Sequence, residues 1–456
     1  MSREKQDLET RRQPALEDSN MHNQKITNKV ALTAGNVLTP AEPETPNLQT
    51  EKDWFPEGGL EAWLVVFGAS MGSLAALGIT NTIAAFQLYI STHQLSQCSE
   101  GSIGWIFSLY TFLAFFCGVY IGPVFDKFGP RWLILVGSVC IGASLMLWSV
   151  CKEYWHFLIV FGICNGIGCS LLFTPCIAAV GHFFHARRGL ATGIASAGGS
   201  LGGIIFPLML QSLFAEPSLG WGWGVRILGF LYIGLLAVAN CFVRSRLPPS
   251  KNASIHPDIR IFKEKPFLFT TIAVFLMEFA LFIPLTYISS YAAAQGFSHE
   301  FCFQILTILN AGSFFGRLLP GWWADRVGPF NSNMASVLLS IFACFAVWLP
   351  FGHTKPGIVT FAILIGFASG NNISITPVCI GRLCPIENYG RYYATCFTVV
   401  SVACLVGVPI GGSVINACGG SYGGLIVFTG ALYASSLVGF VIAKGVSIGW
   451  KLTATF

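Results

Sequence analysis

From residue 62 onward the chain alternates long apolar stretches with short polar joints, and the stretches divide into twelve, at 62–86, 103–124, 131–150, 155–180, 189–214, 224–243, 267–291, 301–323, 333–351, 357–380, 392–415 and 423–443. A helix needs roughly 20 predominantly apolar residues to cross the hydrocarbon core of a bilayer. Inside that core every backbone N–H and C=O must be satisfied within its own segment or by closed pairing. The pattern therefore predicts an all-α integral membrane protein with twelve transmembrane helices. The longest polar joint between stretches, rich in Arg, Lys and Pro from Arg244 to Pro266, divides the twelve into six and six.

The two sixes repeat one another. Gly122-Pro-Val-Phe-Asp126-Lys127-Phe-Gly129-Pro130 and Gly321-Trp-Trp-Ala-Asp325-Arg326-Val-Gly328-Pro329 carry glycine, aspartate, a cation, glycine and proline at the same spacing, and both follow an apolar stretch. Gly168, Thr174, Pro175 and Pro207 recur 202 positions later as Gly370, Thr376, Pro377 and Pro409. Two six-helix halves inserted in the same orientation are related by an axis along the membrane normal, an architecture that exposes a central site to each side in turn. Spans four and five are rich in glycine and proline, which membrane helices tolerate where protein or water re-satisfies the backbone. They are expected to flex beside a cavity. The expected organisation is a disordered cytoplasmic tail over 1–55, a first half over 56–245, a cytoplasmic linker over 246–266, a second half over 267–444 and a cytoplasmic tail over 445–456.

Composition agrees with lipid as the solvent: 54% of residues are hydrophobic and only 10% charged, against about a quarter charged in soluble domains. Short cytoplasmic loops carry an excess of Lys and Arg. With the N-terminus placed inside, all 26 cations fall on the cytoplasmic side except Lys152, Arg226 and Lys355 outside and Arg317 within a span. The net charge of +5 is thus an orientation signal, with no reason to expect nucleic acid as a partner. No cleavable signal peptide is recognisable, so the first span is expected to direct insertion. Most of the 15 cysteines lie inside spans without C-x-x-C spacing and read as small packing residues; Cys98, Cys302 and Cys418 fall near the outer face without a reason to pair them.

The paired turns resemble the loop motif of the major facilitator superfamily, and the resemblance runs from about Pro56 to the end. Pro56-Glu-Gly-Gly-Leu-Glu-Ala-Trp63, Arg187-Arg188-Gly-Leu-Ala191-Thr-Gly193 and Gly316-Arg317 resemble the monocarboxylate porter-like branch, particularly its fungal members. That resemblance implies the major facilitator fold and movement of a small organic anion or related metabolite, often with protons. Animal members carry a lysine near the position of Thr80 and an aspartate at that of Ser313, and a longer central linker. A monomeric functional unit in the plasma membrane is the matching expectation.

Candidate chemistry is sparse. Arg317 lies eight residues before Asp325, about 12 Å into the membrane, where a guanidinium keeps its proton and must find an anion or acceptors. It can hold a substrate carboxylate through two parallel bonds or serve a structural pair. Glu278 is the one acid of 21 near the middle of a span; it can pair with Arg317 or hold a proton. Asn310 and Ser313 share the helical face of Arg317, and Thr80, Asn81, Asn165, Asn371 and Asn372 are further candidate polar lining. Gly122, Asp126, Lys127, Gly129, Arg131, Gly321, Asp325, Arg326 and Gly328 are expected to hold the cytoplasmic gate without touching substrate. His182 and His185 are too few for a metal site, no nucleophile constellation suggests an enzyme, and no G-x-x-x-x-G-K-[ST] loop suggests ATP as a cofactor. A solute sensor without net transport is the other reading that a transporter-like chain leaves open.

Overall fold

The computed structural model describes residues 55–98, 100–216, 218–247 and 259–449. The expected disordered tail to residue 54, most of the central linker and residues 450–456 lie outside the described residues. Within them twelve helices are long and apolar enough to cross a membrane: α1 (Gly59–Ile83), α2 (Ser102–Phe128), α3 (Arg131–Trp148), α4 (Tyr154–Val180), α5 (Arg188–Phe214), α6 (Gly220–Phe242), α7 (Lys265–Ala294), α8 (Glu300–Val327), α9 (Pro329–Phe351), α10 (Lys355–Gly381), α11 (Ile386–Ala417) and α12 (Gly423–Ile448). There are no strands among the described residues. Each helix coincides with one apolar stretch of the sequence. The largest boundary difference is at the start of α11, which begins at Ile386, not near residue 392. The extra residues are a 3-10 turn, Ile386–Asn388, that runs into the α-helical part at Tyr389.

The polypeptide duplicates its packing as well as its motifs. In the first half α1 packs on α5 and α6; in the second α7 packs on α11 and α12. The halves meet along α5 with α8 and α2 with α11. Large apolar side chains such as Val139, Phe230 and Leu338 remain more than half exposed at 63%, 59% and 53%, the surface a lipid phase wets. At the ends of the spans away from the Asp126 and Asp325 turns, each half carries a buried tryptophan stacked on a phenylalanine thirteen residues later: Trp148 on Phe161 at 4.2 Å between ring centres, and Trp348 on Phe361 at 4.4 Å. The two pairs are 200 positions apart, so the repeat extends to aromatic packing that the loop motifs do not reveal.

Both tryptophans are fully buried. Truncating a buried aromatic side chain removes its transfer free energy and leaves a cavity, typically about 3–5 kcal/mol. Trp348→Ala is accordingly expected to lower the melting temperature of the detergent-solubilised protein well below that of wild type. A melting curve that overlays the wild-type curve would remove the pair from the list of structural anchors.

Candidate functional site

Two groups of polar residues are brought together, one at the Asp126 and Asp325 turns and one midway through the membrane. At the turns the chain reverses through Gly129 and Gly328, whose φ values of 79° and 91° lie in the left-handed region, which favours glycine. Asp126, at the end of α2, accepts from the backbone N–H of Gly390 at 3.0 Å and of Arg391 at 2.9 Å, where the α-helical part of α11 begins after a 3-10 turn at Ile386–Asn388. Asp325, at the end of α8, accepts from the N–H of Gly189 at 2.6 Å and of Leu190 at 2.9 Å in the first turn of α5. Each carboxylate thus satisfies two amides that a helix start leaves without partners, and the helix dipole favours a negative charge there.

Such contacts need close backbone approach between the halves. A Cβ on Gly321 would lie 2.7 Å from the carbonyl oxygen of Gly189, and one on Gly122 would collide with the carbonyl of Gly390. The cations of the turns sit apart from this lock: Arg131 is exposed, Lys127 lies 5.6 Å over Phe128 and Arg326 3.9 Å over Trp322. Carboxylate and glycine bridge the halves, and the cations stay at the margin.

In the same region Glu57, Arg188 and Tyr389 carry no signal strong enough for the sequence alone to single them out as partners. Glu57 accepts from the N–H groups of His185, Ala186 and Arg187 at 2.8, 2.6 and 3.1 Å, tying the start of the chain's described part to the loop before α5. Arg188 is only 4% exposed, and its guanidinium lies 4.0 Å over the Tyr389 ring. Nearby, the two histidines turn to separate partners. His182 Nδ1 is 2.9 Å from Ser245 Oγ, and burial, with Arg188 and Arg246 beside it, pushes its imidazole down to about 3. His185 Nε2 is 3.2 Å from Arg382 Nη1.

The mid-membrane group forms where α5 is wedged between α1 and α8. Arg317 of α8 is 2% exposed and its Nη1 donates to the carbonyl of Ser196 on α5, while its Nε has no partner. One turn earlier on α8, Ser313 accepts from the Ser200 hydroxyl at 3.1 Å. One further turn on, Asn310 donates to Gly203 at 3.3 Å. From α1, Asn81 donates to the carbonyl of Gly199 at 3.1 Å. Arg317, Ser313, Asn310 and Asn81 therefore converge on one face of α5. Glu278 of α7 is 3% exposed, is within electrostatic reach of Arg317 and has one carboxyl oxygen without a partner.

The other candidates are placed differently. Thr80 is 3.0 Å from the Tyr110 hydroxyl and serves the contact of α1 with α2. Asn371 spends its amide on α9: it donates to the Ser332 carbonyl at 3.1 Å and to the Ser336 hydroxyl, and accepts from the Ser332 hydroxyl at 3.3 Å. It holds two helices together and has no capacity left to line a cavity. Asn165 and Asn372 are fully buried with both side-chain polar atoms unpartnered. Asn165 closes a π-helical segment of α4, Leu158–Asn165.

Comparison with known proteins identifies the arrangement. A sequence profile described as Major Facilitator Superfamily matches residues 68–408. A riboflavin transporter of Saccharomyces cerevisiae is 34% identical over 423 residues, covering 88% of this chain and 81% of the yeast protein. An aspyridones efflux protein of Emericella nidulans is 36% identical over 376 residues, covering 82% and 76%. Among solved structures, a human organic anion transporter superposes with a TM-score of 0.66 at 15% identity over 83% of this chain and 98% of its own, a likeness of fold.

Proposed function

The chain belongs to the Major Facilitator Superfamily and is a transporter of that family, and on that premise we propose that it moves a small organic anion, a monocarboxylate-like acid or a carboxylated secondary metabolite, by alternating access. The observation that carries this reading is the state of Arg317. A permanently charged side chain sits midway through the membrane, at the junction of three helices, held by a backbone carbonyl and keeping one N–H unspent. Burying such a group is costly unless an anion or acceptors complete its shell. A substrate carboxylate supplies the missing acceptor pair in the planar geometry a guanidinium matches best. Asn310, Ser313 and Asn81 around it offer further polar contacts, each bound to α5 through a single neutral hydrogen bond that an exchange of partners can replace.

Glu278 supplies the coupling in this reading. In the empty transporter its carboxylate and Arg317 interact; when a substrate anion takes the guanidinium, Glu278 takes up a proton and the site remains near neutral. Solute and proton then move together, as a symport of acid with H⁺ or its reverse. The Gly316-Arg317 pair and the Arg187-Arg188-Gly-Leu sequence support membership of the monocarboxylate porter-like branch. The name of the Emericella relative, an efflux protein, supports export as the direction of transport.

The side of the Asp126 and Asp325 turns is the cytoplasmic side in this reading, with both termini there and the plasma membrane as location. All 26 cations but Lys152, Arg226, Lys355 and Arg317 support that orientation. The halves, 56–245 and 267–444, rock as two bodies of one monomer. Asp126 and Asp325 hold the cytoplasmic side shut in the state observed. Asp325→Ala leaves the Gly189 and Leu190 amides without their acceptor; charge-assisted bonds are worth about 1.5–3 kcal/mol each, so the shut state is expected to lose most of its population. A variant whose sole cysteine is Cys384 reports this: its thiol, pushed up to about 12 by burial, should label with a maleimide several-fold faster once Asp325 is replaced. An unchanged labelling rate would show that the carboxylate does not hold the gate.

Flux in proteoliposomes under an imposed pH gradient tests the function itself, with pyruvate, benzoate and 2-oxoglutarate as acids and riboflavin as the solute without a carboxylate. Faster flux of an acid than of riboflavin, rising with the gradient, is the expected result. Transport of riboflavin alone would reject an anion as cargo, and specific binding without flux would favour a sensor.

A further inference from the structure

Arg188 is a buried cation outside the mid-membrane group. It opens α5 at the shut side, 4% exposed, with Nε and one terminal nitrogen lacking any partner. Three carboxylates lie in the same region, and each is spent on backbone amides: Glu57 on His185, Ala186 and Arg187, Asp325 on Gly189 and Leu190, Asp126 on Gly390 and Arg391. Among the described residues none of them pairs with Arg188. Its neighbourhood adds positive charge: the Arg382 guanidinium is within electrostatic reach. The position is also the wrong end of a helix for a cation, since the dipole places partial positive charge at the N-terminus. What the site lacks is an anion.

The space around the guanidinium is built to fit it and to come apart. Gly181, just after α4, and Gly381, the end of α10, sit 200 positions apart in the two halves. A Cβ on either would run into the Arg188 terminal nitrogens. Arg188 and Gly181 belong to the first half, whereas Gly381 and the Tyr389 ring that covers the guanidinium belong to the second. When the halves part on this side, Tyr389 and Gly381 leave together, and the guanidinium stays behind facing the opened vestibule.

We infer that Arg188 is a second anion site, masked by Tyr389 in the shut state and bared in the inward-facing state, which binds the carboxylate of the transported acid on the cytoplasmic side of Arg317. An aromatic face is a weak stand-in for an anion, so it holds the guanidinium when no acid is present and yields to a carboxylate when one is. Loss of the acid toward Arg317 or toward the cytoplasm frees Arg188 for Tyr389 and lets the halves close. The site rests on the reading of the cargo as an organic anion.

Two measurements on the full-length chain test it. In proteoliposomes, the acid of the panel that wild type carries fastest is presented from each face in turn. Arg188→Gln should raise the KM on the face of the Asp126 and Asp325 turns ~10-fold or more, the loss of charge-assisted bonds, and leave the KM on the opposite face within about twofold. Arg188→Lys, which keeps the charge, should recover part of the loss. A plain plug predicts the opposite sign, because removing it favours the inward-facing state and lowers the KM on the turn face; that result, or an unchanged KM, overturns the proposal. The second measurement needs no transport: with Cys384 as the sole cysteine, 20 mM benzoate in place of chloride should speed maleimide labelling several-fold in the otherwise wild-type chain and leave Arg188→Gln unaffected. If benzoate does not change labelling in the chain that keeps Arg188, the site is refuted, whereas absence of acid flux in wild type with benzoate-sensitive labelling refutes the cargo assignment alone.

Discussion

Replacing Arg317 by alanine is expected to reduce acid flux by at least ~30-fold, because truncating one partner of a buried, hydrogen-bonded charge pair typically costs about 2–5 kcal/mol. The argument is one of alternatives for a buried guanidinium. In the state observed its Nη1 is satisfied by the Ser196 carbonyl and its Nε by nothing, and Glu278 is its charged neighbour. Alanine removes the only cation away from the ends of the described spans, so a carboxylate entering the site would be desolvated without compensation. Lysine keeps a charge but presents a compact ammonium on a different stem, and cannot make the two parallel bonds. Arg317→Lys should therefore retain binding poorly and turnover worse. The variants are read by flux at equal amounts of folded protein, scored by monodispersity in detergent. Should Arg317→Ala fold normally and carry benzoate with wild-type KM, the guanidinium is a clasp between α5 and α8 and the anion has another anchor.

Glu278→Gln is expected to abolish the response to the pH gradient while leaving exchange of solute against solute intact. Glutamine has nearly the shape of a protonated glutamic acid and cannot release a proton, so it imitates one of the two states the cycle needs. The surroundings make the group suited to that role: it is 3% exposed, one oxygen is unpartnered, and its charge is felt by Arg317, Tyr393, Cys396, Cys404 and Tyr433 from α8, α11 and α12. With one proton per cycle, a gradient of one pH unit drives about tenfold accumulation, equivalent to about 1.4 kcal/mol. Wild type should approach that ratio and Glu278→Gln should remain near one. Accumulation by the variant at the wild-type level would place the proton elsewhere, or show that the gradient does no work.

The two predictions are linked through one pair, so their double variant is informative. Residues that act on one another give non-additive effects. With the cation gone, Glu278 loses the partner that makes its charge tolerable, and adding Glu278→Gln to Arg317→Ala should cost little more. Additive losses would mean that the two groups serve separate steps.

The number of spans, their order, the duplication and the membrane as solvent were fixed by the sequence alone, for a simple reason. Hydrocarbon cannot hydrogen-bond a backbone, so a run of apolar residues of bilayer length has helix as its only solution, and two runs of six with matching turns have little freedom in how they pair. The lone mid-span charges Arg317 and Glu278 were legible on the same ground, since lipid makes any charge conspicuous. What tertiary structure decided was partnership. Nothing in spacing says that Asp126 and Asp325 reach amides near the starts of α11 and α5, that Asn371 is consumed by Ser332 and Ser336 while Asn310 and Asn81 meet on α5, or that Arg188, one of two adjacent basic residues, lies buried under Tyr389. Those outcomes depend on which helix faces which, both within each half and across the two. Periodicity along one helix carries no record of its neighbour's rotation.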